Sequence, residues 1–394
     1  MMTPTTQPKM KILIIEDDPG VSETLKDNLL EQHPELEVVV QGDFAEAVSS
    51  TQNERPDAVI LDLLQGSPAS GGLAGNPSWQ EIWQHRFVPL LVYTASAEET
   101  DPPLPNQHPF VKRIQKGLAQ SAQTVVAELT AFLPYLRCVA EQRDKLELTM
   151  HRVLKETATA IWKSNLPIPD RERVLGRALY RRVVAAADAT MTSGNEKLQP
   201  MEQYVYPPVE SDLLMGDILR VSNAAWDDPT TYRVVLTPSC DLVRRDERHA
   251  TARVLIAQCV STGTLSTKWS LSPIDDKAKK HLLSYLTQAQ KDGLVPLPGL
   301  PGVVPTMALD LKTLHLIDYS TIEGFTPSGE SGAVPEPLFH RIVSVDSPFR
   351  EFLGWAFLQI ACRPGVPERE WQKWAEEIVA TRQAGTAPVT ETRS

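Results

Sequence analysis

The chain has 394 residues, 42% of them hydrophobic and 23% charged, with a net charge of −11. That length suits two or three soluble domains, and the acidic balance argues against a general nucleic-acid binder while leaving room for a local basic face. No apolar run reaches the length of a membrane span, Met1 to Lys11 carries no signal-peptide core, and the 4 cysteines are scattered, so no membrane segment and no disulfide framework is expected, and a reducing cytoplasm is the natural compartment.

Residues 10–133 read as five alternating strand and helix units, with strands near 11–15, 37–41, 58–62, 89–94 and 110–115. Runs such as Lys11-Ile12-Leu13-Ile14-Ile15 lack polar alternation and are rich in β-branched residues, the pattern of parallel strands buried on both faces. Val21, Leu25, Leu29 and Leu30 follow helical spacing before the second strand. The segment 66–85 is Gly/Pro-rich and then carries Trp79, Ile82 and Trp83, which predicts a loop and a short helix. A last helix is expected over Ser121 to Leu133, ended or kinked by Pro134.

The first strand runs into Glu16-Asp17-Asp18, and Val59-Ile60-Leu61 runs into Asp62. Ligands in open α/β sheets gather at the carboxyl ends of the strands, so Asp17, Asp18 and Asp62 are expected in one crevice. Carboxylates that close repel one another unless a hard cation sits between them, which predicts a Mg2+ pocket. Leu90-Leu91-Val92-Tyr93 ends in Thr94-Ala95, and Phe110 to Gln115 ends in Lys116-Gly117. Acidic pairs after strands also occur in haloacid-dehalogenase phosphatases and nucleotide binders. The order acidic pair, aspartate, hydroxyl residue, lysine resembles the receiver domain of bacterial two-component response regulators.

That resemblance implies a flavodoxin-like fold and a phosphoprotein of a phosphorelay. Asp62 would take a phosphoryl group from a sensor histidine kinase, Asp17, Asp18 and Asp62 would bind Mg2+, Thr94 would sense the phosphoryl group and Lys116 would neutralise it. Lys112 is the other candidate for the lysine role. The chain departs from the family at Gly117, where a proline is usual, at Arg113, where a switching aromatic is usual, and in the long glycine-rich loop after Asp62.

Residues 134–200 read as a helical linker. Leu136, Val139, Leu146, Met150, Val153 and Ala160 follow a heptad-like register, with Arg143 and Thr157 at two seam positions. Such a seam supports either a homodimer through 135–162 or packing on the chain's own domain. Asn165 to Asp170 breaks the helix. A second, amphipathic helix from Arg171 to about Ala189 carries Arg171, Arg173, Arg177, Arg181 and Arg182. These arginines fit a solvated face, or contact with nucleic acid or an acidic partner.

Residues 201–385 read as an α+β output domain with a small β-barrel-like core, and 386–394 as a disordered tail. Strands are expected leading to Val221 and over Tyr232–Thr237, Arg253–Val260 and, as a strand pair or hairpin edge, Leu309–Tyr319. Helices are expected over 276–291, 347–361 and 367–381, with ordered loop over 292–308 and flexible loop from Ile322 to Pro337. Thr237-Pro238-Ser239-Cys240-Asp241-Leu242 and the later Asp346–Leu353 and Arg363–Pro367 loosely resemble a poorly characterised group of bacterial proteins, a likeness that implies no activity. Cys240, Asp241 and Asp217 are the candidate output site. Cys240 could be a nucleophile with His249, His281, His315 or His340 as base, a zinc ligand with Cys259 and His249, or a buried structural residue.

The chain therefore reads as a response regulator whose output domain recognises protein or ligand. A receiver-gated enzyme centred on Cys240 and Asp241, and a DNA-binding regulator using the Arg171–Arg182 helix, are the alternatives.

Overall fold

The computed structural model describes residues 10–66, 72–96, 98–105, 107–192, 197–209, 211–245, 248–249, 251–271, 275–288, 290–323, 336–362 and 370–384. The expected tail at 386–394, Arg363–Pro367, the His249 side chain, 67–71 of the loop after Asp62 and 324–335 of the loop after Ile322 lie outside those residues. Two compact units result, Met1–Asn195 and Glu196–Ser394.

The first unit contains β1 (Lys11–Ile15), α1 (Pro19–Gln32), β2 (Glu37–Gln41), α2 (Ala47–Glu54), β3 (Ala58–Leu61), α3 (Asn76–Gln84), β4 (Leu90–Thr94), β5 (Val111–Gln115), α4 (Ser121–Trp162) and α5 (Ile168–Thr192). All five strands are parallel, in the order β2-β1-β3-β4-β5. This is the doubly wound, flavodoxin-like order, with its switch point between β1 and β3. Successive strand residues feed opposite layers. Ile12, Ile14, Ile60 and Leu91 pack with Leu25 and Leu29 of α1 and Val125, Leu129 and Phe132 of α4. Leu13, Ile15, Val59, Leu61 and Val92 pack with Ala47 of α2 and Trp79 and Ile82 of α3. The central strands are thus apolar throughout because both faces are covered.

Two features differ from the sequence expectation. Among the described residues no helix joins β4 to β5. That connection holds Pro102, Pro103, Pro105 and Pro109, each lacking the N–H a helix needs. It is tied to α3 instead: Trp79 Nε1 donates to the Pro102 carbonyl at 2.6 Å, and Asn76 Nδ2 and Gln80 Nε2 both donate to that of Asp101. Secondly, α4 continues through Pro134 for 42 residues. A mid-helix proline costs about 3 kcal/mol, and burying each large apolar side chain returns about 1.5–3 kcal/mol. Leu129, Phe132, Leu133 and Leu136 flank Pro134 and are all buried, so packing prevails.

Beyond the sheet, α4 and α5 form a helical hairpin. Arg182 of α5 donates to Thr157 Oγ1 at 3.1 Å and pairs with Glu156 at 3.3 Å. Along the expected seam, Leu136 and Val153 are buried while Val139, Leu146 and Met150 are exposed. The polar seam position Arg143 is held by Asp57 at 2.9 Å.

The second unit is an antiparallel sheet with helical additions. Its strands are β6 (Tyr204–Val205), β7 (Asp217–Val221), β8 (Tyr232–Val235), β11 (Arg253–Ser261), β12 (Leu294–Leu297), β13 (Met307–Asp318) and β14 (Phe339–Val345), with a short ribbon of β9 (Arg244–Arg245) and β10 (Arg248–His249) beside it. The helices are α6 (Ser239–Leu242), α7 (Thr262–Lys268), α8 (Asp276–Leu286), α9 (Phe349–Ala361) and α10 (Trp371–Ala384). The sheet order is β12-β13-β11-β8-β7-β14-β6, a half-barrel whose edges approach where Tyr204 Oη donates to the Pro298 carbonyl at 2.8 Å.

Several expectations are corrected. β13 is one long strand, not a hairpin, and its partner β11 shifts register at Ala257/Gln258. The expected loop 292–308 contains edge strand β12. Pro296 sits there because an edge strand can spare a donor. β6, β14 and α7 are further elements that the sequence reading does not anticipate.

Candidate functional site

The switch point between β1 and β3 brings together Glu16, Asp17, Asp62 and Lys116. Lys116, just after β5, reaches across the strand ends. Its Nζ lies 2.5 Å from both Asp62 Oδ2 and Glu16 Oε2. Glu16, Asp62 and Thr94 are all buried. Asp62 Oδ1 accepts from the Leu64 N–H at 3.0 Å, and Asp17 Oδ2 accepts from the Gly66 N–H at 2.9 Å. Thr94, the last residue of β4, accepts the Lys116 N–H on its carbonyl at 3.0 Å and the Ser96 N–H on Oγ1 at 3.2 Å. The backbone at Lys116 is thereby pinned to the end of β4, which fixes where its ammonium emerges.

The acidic cluster consists of Glu16, Asp17 and Asp62, with one carboxylate oxygen from each within 4.8 Å of the others. Of the expected metal ligands the structure brings Asp17 and Asp62 together and leaves Asp18 apart. Asp18 is exposed and caps α1, its Oδ1 accepting from the N–H of Gly20 at 2.8 Å and Val21 at 3.3 Å. The signal was present: an aspartate followed by proline at the first helical position is an N-cap signature. Sequence reasoning missed Glu16, whose carboxylate takes the pocket position assigned to Asp18.

Burial pushes Glu16 above the usual carboxylate range, against the pull of Lys116. Burial alone would lower Lys116, but its hydrogen bonds and Coulomb attraction to Asp62 and Glu16 outweigh that and raise it. Lys116 is therefore a firmly held cation. Lys112 is exposed on β5 and takes no part, while Arg113 donates to the carbonyls of Ser96 at 2.5 Å and Glu98 at 3.1 Å. Three carboxylates offer hard oxygen donors of the kind Mg2+ takes, so the residues present fit that ion.

Gly75 fixes the loop after Asp62 to α3. A Cβ there would meet the Asp62 carbonyl oxygen at 2.2 Å and Leu63 Cα at 2.8 Å. The Gly75 N–H donates to the Leu63 carbonyl at 3.1 Å. This close approach holds the end of β3 against the helix.

In the second unit the expected output residues differ in burial. Asp217 is fully buried, with Oδ2 2.8 Å from Arg341 Nε and Oδ1 accepting from Ser344 Oγ at 2.5 Å. Burial raises its pKa, partly offset by Arg341, Ser344 and the Leu214 N–H. Cys240 and Asp241 are exposed on α6, with Sγ 3.6 Å from Asp241 Oδ1. His340 is paired with Glu323 at 2.5 Å, and His281 and His315 are exposed on α8 and β13. Cys259 is buried in the sheet core, where burial pushes its thiol up to about 12. Among the described residues no cysteine joins a group able to hold a metal.

No protein-family model matches the chain, and no curated protein matches it. Solved structures do resemble its first third. The Vibrio cholerae chemotaxis protein CheY4 is 20% identical over 32% of this chain and 98% of its own, with a TM-score of 0.24. The response regulator domain of Thermotoga maritima CheB is 18% identical over 34% of this chain and 98% of its own, with a TM-score of 0.24. The phosphorylated cyanobacterial phytochrome response regulator RcpA is 22% identical over 32% of this chain and 94% of its own, with a TM-score of 0.25. The fold assignment rests on this chain's own strand order and register.

Proposed function

We propose that residues 10–133 are the receiver of a response regulator, that 134–200 form its helical linker, and that 201–385 form an output domain acting through protein or ligand recognition. The observation that carries the reading is Lys116 Nζ, bridging Asp62 and Glu16 at the strand switch point. An Asp62 oxygen attacks the phosphorus of a phosphorylated histidine on a sensor kinase. The phosphorus–nitrogen bond breaks, the imidazole nitrogen takes up a proton, and an aspartyl phosphate results.

A carboxylate attacking a dianionic phosphoryl group meets like charge. Lys116, already held as a cation, offsets that repulsion and stays beside the product oxygens. Mg2+ held by Glu16, Asp17 and Asp62 would supply further neutralisation of the phosphoryl oxygens. Thr94, on the strand next to Asp62, offers a hydroxyl to the new phosphoryl group and so couples it to the β4–β5 connection. The exposed Val139, Leu146 and Met150 of α4 support a second copy of the chain as the linker's partner. No described helix is long and apolar enough to cross a membrane, which is consistent with a cytoplasmic location.

The test is incubation of the pure protein with Mg2+ and acetyl phosphate, read by intact mass and molecular size beside Asp62→Ala. One phosphoryl group gained by wild type and absent from the variant is expected. An unmodified protein under conditions where Mg2+ binds would refute phosphoacceptor function, and an unchanged monomer after phosphorylation would refute linker dimerisation.

A further inference from the structure

At the opposite end of the first unit's sheet from Asp62, a cavity of about 650 Å³ opens between the strand starts and the underside of α4. This volume lies within the usual range for small-molecule sites, roughly 300–1,000 Å³. The starts of β3, β4 and β5 form one wall through Pro56, Pro89 and Phe110, and the stretch of α4 from Tyr135 to Glu147 forms the other. Nothing in the receiver chemistry uses it.

Its lining has two characters. Tyr135 is 60% exposed and Phe87 43% exposed, unusually open for rings set in a concave surface. Tyr135 is nonetheless held in place, edge-on to Phe110 at 5.4 Å. The lining also carries four cations against two carboxylates. Arg143 is satisfied by Asp57 at 2.9 Å, and Lys11 by Glu54 at 2.8 Å. Arg55 and Arg86 have no carboxylate partner among the described residues, and Arg86 donates only to the Gln52 carbonyl at 2.9 Å. Arg55 also sits with φ +49° at the end of α2, a left-handed position that ordinarily favours glycine or asparagine.

A purely apolar ligand would leave the two arginines unpaired, and inorganic phosphate would leave the open rings uncovered. A planar ring bearing an anionic group answers both. We propose that this cavity is a nucleotide site, taking a purine ring against Tyr135 and Phe87 and its phosphate at Arg55 and Arg86. Because Arg143 and Tyr135 lie on α4 and the other groups lie on the sheet side, an occupant ties this stretch of α4 to the body of the unit. The inference is independent of the receiver reading and its test uses no phosphodonor.

The experiment is calorimetric titration of the full chain with AMP, GMP, adenosine and inorganic phosphate, with hydrogen exchange on the saturated protein. Saturable binding of AMP or GMP is expected, weaker for adenosine and for phosphate alone. Arg55→Glu and Arg86→Glu should each weaken it about tenfold or more, and Tyr135→Ala several-fold. Exchange should slow over residues 135–147 of α4. All three substitutions fall on partly exposed side chains, and a thermal melt of each variant separates lost binding from lost fold. Absence of saturable heat with either nucleotide at concentrations of about 1 mM would overturn the proposal. So would binding that survives all three variants, adenosine binding as tightly as AMP, or a single-stranded oligonucleotide binding more tightly than either mononucleotide.

Discussion

Gly75→Ala pits two effects of opposite sign against each other. Gly75 caps α3 with φ −77° and ψ −10°, a conformation alanine adopts freely. On backbone propensity alone the substitution would stabilise the protein by about 0.4–1 kcal/mol. The new methyl group, however, would lie 2.2 Å from the Asp62 carbonyl oxygen and 2.8 Å from Leu63 Cα. Both obstacles are backbone and cannot rotate away, so the Asp62 end of β3 and the start of α3 must part by about 1 Å. Overpacking of this kind costs about 1–3 kcal/mol, which outweighs the propensity gain. The melting temperature should fall by several degrees, at about 2–4 °C per kcal/mol for a unit of this size. The larger effect falls on chemistry. Asp62 Oδ2 sits 2.5 Å from Lys116, and a 1 Å misplacement of a reacting group costs on the order of a hundredfold in rate. Time-resolved intact mass with acetyl phosphate reads that rate. Gly72→Ala is the control, since a Cβ at Gly72 meets nothing within 4 Å. Wild-type phosphorylation kinetics in Gly75→Ala would refute the claim that this contact positions Asp62 as the proposed phosphoacceptor.

Glu16→Gln should weaken Mg2+ binding by about one to two orders of magnitude while Asp18→Asn leaves it nearly unchanged, as followed by calorimetry; the reverse ranking would restore the ligand set expected from the sequence. Because burial raises Glu16, its proton returns at a higher pH than for an ordinary carboxylate, and metal binding needs that proton gone, so Mg2+ affinity should already decline as pH falls through that raised value. A pH titration of affinity checks this, and Glu16→Gln should flatten it. Lys116 titrates in the folded protein above its ordinary value, so its stabilisation is complete at neutral pH and is lost only as alkaline pH passes through the raised value; melts of wild type against Lys116→Met over alkaline pH should converge. Asp217→Ala would leave Arg341 without its buried carboxylate and should cost about 3–5 kcal/mol by chemical denaturation, whereas loss of under about 1 kcal/mol would show that the pair is dispensable.

The first unit was legible because its physics is local. Buried parallel strands are continuous apolar runs with charged residues just past their ends, so strand limits and candidate site residues are read in one pass. The expected limits of β1 and β2 are those observed. The acidic pocket was legible up to one residue. Asp17, Asp62 and Lys116 fall where the spacing put them, while Asp18 serves the helix that follows rather than the crevice. What was lost depended on neighbours. Pro134 is a helix breaker by propensity, and only the burial of Leu129, Phe132, Leu133 and Leu136 around it explains a continuous α4. The missing helix between β4 and β5 was signalled by four prolines, but the hydrogen bonds that hold the connection come from α3.

The second unit shows why antiparallel sheets resist the same reading. β14, a strand not expected from the sequence, runs Phe339-His340-Arg341-Ile342-Val343-Ser344-Val345, and its register shifts between Arg341 and Val343. That shift breaks the period-two alternation by which a strand is recognised. It also brings Arg341 and Ser344 onto the same carboxylate, Asp217 of β7, so the irregularity that hid the strand is the one that completes a buried ion pair. From the sequence, Asp217 reads either as a ligand-binding carboxylate with Asp241 near the barrel mouth or as a turn-capping carboxylate. Its full burial, the Leu214 N–H it accepts and its two side-chain partners fit the capping reading. The acidic residues of the two units thus divide by what surrounds them. Around Asp217 every partner belongs to the fold, and burial leaves no room for an incoming group. Asp62 is buried too, yet it follows β3 at the switch point beside Glu16 and the Lys116 ammonium, which is where a doubly wound sheet leaves room for chemistry.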